Sequence, residues 1–175
     1  EIATDDDNSA RLKELQESHQ PASVPRKDLP DPTGGEFELM GDALLGKESY
    51  YLAYVHYEKS LKLKPDNLRV EYKKGLTLLL AKKNDEAIEQ FNLVLEKDPE
   101  FSLAYEGLGR AHFQKRSFAE AEKSFQKAVE LDPTLWRSFD YMGNILDSRR
   151  QHDMAIVEYN SAIRARPDEG ALYNN

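Results

Sequence analysis

SLAYEGLGRAHFQKRSFAEAEKSFQKAVELDP, residues 102–133, holds two helical stripes and a stop signal. Its first half is apolar at Leu103, Leu108, Ala111 and Phe113 without strand-like alternation. Its second half sets Ala121, Phe125, Ala128 and Val129 at helical spacing. Leu131-Asp132-Pro133 then ends the second helix, because proline lacks an N–H and disfavours helix in the residue before it. The same proline is expected to open the next helix, where its missing donor is harmless. Outward from this stretch the pattern recurs. Pro65, Pro99, Pro133 and Pro167 are 34 residues apart, and so are Gly41, Gly75, Gly109 and Gly143. Ala53, Ala87, Ala121 and Ala155 keep the interval, as do the aromatics Tyr57, Phe91, Phe125 and Tyr159. Four series in phase predict four helical hairpins. Each glycine inside a first helix should cost about 1 kcal/mol relative to alanine. Close approach of helix backbones, with the alanines as the matching small surface, is the expected compensation.

These residues resemble the tetratricopeptide repeat (TPR) family. Residues 102–135 carry its pattern at Tyr105, Leu108, Gly109, Ala121, Phe125, Ala128 and Pro133. Residues 136–169 do so at Phe139, Met142, Gly143, Leu146, Ala155, Tyr159, Ala162 and Pro167. Residues 34–67 match at Phe37, Met40, Gly41, Leu44, Ala53, Tyr57 and Pro65, with Ser60 where a small alanine is usual. Residues 68–101 depart most, placing Glu71 and Lys74 at normally apolar positions while keeping Gly75, Leu78, Ala87, Phe91 and Pro99. The resemblance implies an all-α fold, a right-handed α-solenoid of helix-turn-helix hairpins. It implies a protein-interaction scaffold that binds a peptide or partner protein in its concave groove during assembly of a multiprotein complex. In bacteria similar arrays serve pilus, secretion and envelope assembly. The alternatives are the TPR arm of a larger enzyme and a self-assembling structural protein.

Residues 1–33 differ in kind. Asp5-Asp6-Asp7 and five further acids outnumber the bases, and Pro21, Pro25, Pro30 and Pro32 predict an extended linker. Ser9 is a candidate cap for a short helix over residues 10–19, with Leu12 and Leu15 on its apolar side. This extension is the candidate for self-association or for docking in the groove. Tyr173 falls 34 residues after Phe139, so residues 170–175 read as the start of a fifth repeat and the C-terminus as a boundary within a longer array.

Composition narrows the partners. The net charge is -8 over 175 residues, against the basic surface that nucleic-acid binding requires. The apolar run at Leu78-Leu79-Leu80-Ala81 is far too short to span a bilayer. With no cysteine, disulfides and thiolate metal sites are excluded. His19, His56, His112 and His152 form no pair at ligand spacing, and His112 reads as a core or groove-edge residue. Gly107-Leu108-Gly109 lies inside a helical hairpin with no strand before it, so it is not a dinucleotide loop. No catalytic motif and no cofactor is expected; the partner is a protein or peptide.

Two surfaces are candidates for binding it. If Met40 and Leu44 face the core, helix geometry turns Glu38, Asp42 and Leu45 to the concave side, with Tyr72, Leu76 and Leu79, then Glu106, Arg110 and Phe113, then Asp140, Asn144 and Asp147. Some family members clamp a chaperone's C-terminal carboxylate with lysines and asparagines here; Glu38 and Asp42 stand at two of those positions. Acid at both ends around Leu76, Leu79, Arg110 and Phe113 points to an apolar peptide with positive flanks, the alternative being that Leu76 and Leu79 pack between repeats. The second surface is a basic ridge of Lys82, Lys83, Lys115, Arg116, Arg149 and Arg150 at successive first-helix ends. Favourable placement of cations at helix C-termini also explains it. Asp66, Asp98, Asp132 and Asp168 recur at the opposite turn, where each is expected to cap the following helix.

Overall fold

The computed structural model describes residues 31–166. Among them eight α-helices and no strand follow in order: α1 (Gly34–Gly46), α2 (Tyr50–Leu63), α3 (Leu68–Leu80), α4 (Asn84–Lys97), α5 (Ser102–Gln114), α6 (Phe118–Leu131), α7 (Trp136–Ser148) and α8 (His152–Ala165). Each odd-numbered helix pairs with the next as a hairpin, and each hairpin stacks on its successor through α2–α3, α4–α5 and α6–α7. The odd-numbered helices also touch one another, α3 with α5 and α5 with α7, and so form the inner layer of the solenoid. The short helix expected over 10–19, the N-terminal docking segment and the fifth-repeat start at 170–175 lie outside the described residues.

The glycine series has a different cause from the one the spacing suggests. A β-carbon on Gly41, Gly75, Gly109 or Gly143 would lie 2.5, 2.7, 2.6 and 2.5 Å from the rings of Tyr57, Phe91, Phe125 and Tyr159 respectively. Each glycine therefore admits the aromatic ring of its own second helix, not a neighbouring backbone. Gly107 repeats the device between hairpins, with its absent β-carbon 2.5 Å from Phe91 of the preceding one. Ala53, Ala87, Ala121 and Ala155 complete the interior beside these rings.

The turns also depart from expectation. After every first helix the chain makes one left-handed residue, Glu48, Lys82, Arg116 or Arg150, with φ of 58, 61, 62 and 61°. Arg116 N–H donates to Phe113 O and Ser117 N–H to His112 O, both at 2.9 Å, and the other three ends repeat this double bond. This is the Schellman arrangement, which usually recruits glycine. At the opposite turns Asp66, Asp98 and Asp132 do not cap the next helix, and Asp168 lies outside the described residues. Asp98 Oδ1 accepts from Glu100 N–H at 3.0 Å, and Asp132 Oδ1 from Thr134 N–H at 2.9 Å, folding the turn onto itself. Helix α5 begins at Ser102, so Pro99 lies in the turn and does not open the helix. Side-chain caps occur instead at Thr33, in a capping box with Glu36, and at Asn67.

The polar departures are absorbed by partners. Glu71 accepts from Gln90 at 2.7 Å and from Lys97 at 3.1 Å. Lys74 lies 3.7 Å from Glu58 and 5.0 Å above the Tyr54 ring. Buried Ser60 donates to Gly34 O at 2.7 Å, so the hydroxyl that replaces alanine also ties α2 to the start of α1.

Two substitutions separate the ring contact from generic helix propensity. Gly109→Ala should destabilise the protein by about 1–3 kcal/mol, because the added carbon would overlap the fully buried Phe125 ring. Gly46→Ala, with nothing within 4 Å of its added carbon, should stabilise it by about 0.5–1 kcal/mol. Urea denaturation measures both; effects of the same sign would refute the contact. For the left-handed turns, Arg116→Gly should leave stability equal or higher by up to about 1 kcal/mol, while Arg116→Val should lower it by about 1–2 kcal/mol.

Candidate functional site

The inner face carries the expected residues in three states. Leu79 is fully buried in the core between hairpins and leaves the candidate groove, a correction to the helical-wheel placement. Phe113 is half-buried among aromatics, 5.6 Å from Phe118 and 5.0 Å from Tyr141, so it serves stacking between hairpins more than ligand contact. Leu45 likewise packs on the core of the first hairpin. Glu38 and Glu106 are only 6% and 5% exposed and form the floor of the groove. Tyr72 and Leu76 are half-buried, with one side on the core; the Tyr72 ring lies 5.9 Å from Phe91 and 5.5 Å from Phe101. Arg110, Asp140, Asn144 and Asp147 retain solvent access.

Two of the polar positions are explained by the core behind them. Tyr57 O–H donates to Asp42 at 2.7 Å, and Tyr159 O–H donates to Asn144 at 3.0 Å. The second and third hairpins carry Phe91 and Phe125 instead, which need no acceptor, and there the equivalent residues are Leu76 and Arg110. This correlation is visible in the sequence: tyrosine is matched by Asp or Asn fifteen residues earlier, phenylalanine is not.

The charges are unevenly neutralised. At the α1–α3 end, Glu38 lies 2.9 Å from Arg69 and 2.8 Å from Lys73, and Lys73 also reaches Asp42 at 2.6 Å. At the centre, Glu106 accepts from Ser138 at 3.4 Å, with the Arg110 and Arg137 charges nearby. Arg110 Nε is buried without a hydrogen-bond partner. At the α7 end, Asp140 accepts from Asn144 at 3.3 Å and Asp147 lies 2.6 Å from His152. The two floor glutamates consequently titrate in opposite directions. Burial raises Glu38, but the hydrogen bonds and charges of Lys73 and Arg69 outweigh it and leave its pKa lowered. Burial dominates at Glu106 and leaves it raised, despite Arg110 and Arg137.

The basic ridge is half neutralised within the stack. Lys83 pairs with Glu86 at 2.9 Å, Lys115 with Asp85, and Arg149 with Glu122 at 2.8 Å. Lys82 and Arg150 have no such pair among the described residues, and Arg116 lies 6.0 Å from the Phe118 ring. The described residues contain no group of three or more histidines and acids that could hold a metal ion, and no helix long and apolar enough to cross a membrane.

An eight-helix solenoid with ring-on-glycine hairpins and an inner face of mixed charge defines a helical-repeat binding protein. The sequence model of the tetratricopeptide repeat family matches residues 39–100 and 72–135, more than half of the chain, and the protein belongs to that family. A STIP1 homolog from Dictyostelium discoideum is 28% identical over 99 residues, which cover 57% of this chain and 18% of that protein. The Hsp70-Hsp90 organizing protein of Triticum aestivum is 22% identical over 58% of this chain and 18% of its own length. The chain thus spans about a fifth of these curated relatives. Among solved structures, MamA residues 41–end from Desulfovibrio magneticus RS-1 superposes with a TM-score of 0.66 at 26% identity, covering 77% of this chain and 76% of that one. With these relatives the chain shares the build of a protein-interaction scaffold.

The raised pKa of Glu106 fixes the sign of a pH effect. Its contribution to stability is full below the ordinary carboxylate range and is lost as pH rises through the raised folded-state value. Glu106→Gln, which removes the titration at similar size, should therefore be more stable than the parent at about pH 7, with the gap narrowing toward about pH 4. Urea midpoints at the two pH values check this; a variant weaker at both would show that the Arg110 and Arg137 attraction outweighs burial.

Proposed function

We propose that the inner face binds a peptide segment of a partner protein, with Arg110 as its central polar anchor and Tyr72 and Leu76 as its apolar surface. The observation that carries this reading is the buried, unpartnered Nε of Arg110 midway along the groove. Native proteins seldom leave such a group unsatisfied, and arginine and aromatic residues near the centre of an interface supply most binding energy. The charge pattern sets the polarity of the ligand. Arg69 and Lys73 already neutralise Glu38 and Asp42, so the acids left to meet a positive flank are Asp140 and Asp147 at the α7 end. The chain acts as a scaffold in assembly and not as a catalyst, in keeping with the organizing proteins among its relatives.

A photo-crosslinking residue at position 76 should capture the partner from native extract, whereas one at the exposed Asn160, on α8, should not. With that partner purified, Arg110→Ala should weaken binding by about 1–3 kcal/mol in calorimetry while thermal stability changes little. Normal binding by this variant, or equal capture at both positions, would move recognition off the groove.

A further inference from the structure

Comparison of equivalent positions along the chain exposes a cleft outside the groove. In the first hairpin, His56 of α2 crosses to α1, its ring 5.9 Å from Phe37, with Lys59 5.6 Å above the same ring. In the second, Gln90 of α4 crosses to α3 and donates to Glu71 at 2.7 Å. Tyr105 and Ser124 occupy these two positions in the third hairpin. Serine is too short to cross, and its hydroxyl turns back to Glu120 O at 2.8 Å on its own helix. Between α5 and α6 an open cleft of about 620 Å³ remains, lined by Tyr105, Leu108, His112, Glu120, Lys123 and Ser124 among others. That volume lies within the range of small-molecule and side-chain pockets.

The lining defines what fits. Tyr105 and Leu108 supply apolar walls. His112 stands where the other hairpins carry Leu44, Leu78 and Leu146, and its imidazole has no hydrogen-bond partner among the described residues. Burial lowers its pKa, so at neutral pH the ring is uncharged. On the rim, Lys127 is held by Glu130 at 3.5 Å, whereas Lys123 is exposed and has no ion pair among the described residues. The floor residues are turned roughly 100–160° around α5 from Glu106 and Arg110, so the cleft opens away from the groove.

We infer that the α5–α6 cleft is a second binding site, which receives a tyrosine or tryptophan side chain of a partner protein, with an acidic residue beside it. The ring takes over Tyr105 the place that His56 takes over Phe37 within the chain. Its O–H or N–H meets the free imidazole nitrogen of His112, and the neighbouring carboxylate meets Lys123. This site is independent of the groove reading and stands or falls separately.

The test uses the full chain, with acetyl-Asp-Tyr-amide as probe and acetyl-Asp-Leu-amide as control, followed by NMR. The tyrosine probe should produce saturable shifts at Tyr105, Leu108 and His112, and the leucine probe should not. Ser124→His, which copies the first hairpin and closes the cleft, should abolish the shifts; Ser124→Ala should keep them. Arg110→Ala should leave them unchanged, which separates this site from the groove. Absence of saturable shifts, equal shifts with the leucine probe, or shifts that survive Ser124→His would each overturn the inference.

Discussion

In each hairpin a six-membered ring from the second helix occupies the volume that a β-carbon would take on the first. Tyr57, Phe91, Phe125 and Tyr159 sit against Gly41, Gly75, Gly109 and Gly143, and the hairpin spacing follows from that contact. It removes helix propensity at four interior positions and returns buried aromatic surface, of which Tyr57, Phe91 and Phe125 are wholly out of water. The choice of ring also reaches the inner surface. The tyrosine hydroxyls find acceptors on the first helix, Asp42 for the part-buried bond of Tyr57 and Asn144 for the exposed bond of Tyr159. A phenylalanine makes no such demand, which releases Leu76 and Arg110 for other work.

The fold was legible because its period was. Four residue series in phase identify hairpins, helix ends and the interior aromatics without reference to any partner surface. What faces each recurring residue was less so. Spacing shows that a glycine recurs but not whether a backbone or a ring lies against it, and the structure puts a ring there. A helical wheel drawn for α3 alone turns Leu79 toward the groove; the neighbouring α5 covers it, a contact between residues far apart in sequence. Phe113 is drawn in likewise by Tyr141 of α7. The aspartate beside each proline was read as a helix cap. In the third turn the first free amide is that of Thr134, too near for a cap, and the side chain closes the turn instead. Of the groove, the charges and Arg110 are legible in the sequence, and so is the match of each tyrosine with Asp42 or Asn144 fifteen residues earlier.

Backbone geometry, more than charge, accounts for the basic ridge. Its members Lys82, Arg116 and Arg150 each fill the left-handed position of a helix-terminating turn, with Glu48 in the same role at the first. Long side chains there point into solvent and are tolerated at a cost of about 1 kcal/mol. Nothing in the structure explains why glycine is absent from all four. The neighbouring Lys115 and Arg149 bind acids of the preceding hairpin, Asp85 and Glu122. Such exposed pairs contribute at most about 1 kcal/mol each, so they serve alignment more than stability. The ridge is therefore a poorer candidate for recognition than the groove, where the Nε of Arg110 is buried without a hydrogen-bond partner.

The third hairpin keeps the family framework, yet it departs from the other hairpins on both of its faces. Its inner side carries Arg110 over a buried Glu106, and its outer side carries His112 and Ser124 where the first two hairpins have leucine and a crossing side chain. The two facts are connected. In a linear array each hairpin is held by its own interior and by its neighbours, so a unit with a complete ring-on-glycine core and partners on both sides can lose a surface contact without losing its place. The second hairpin shows the converse. Its polar Glu71 and Lys74 interrupt the pattern, and both are occupied by internal partners, Gln90, Lys97 and Glu58. Framework fidelity in residues 102–135 is thus what permits chemistry there to remain unspent on folding, with a guanidinium nitrogen on one face and an imidazole on the other.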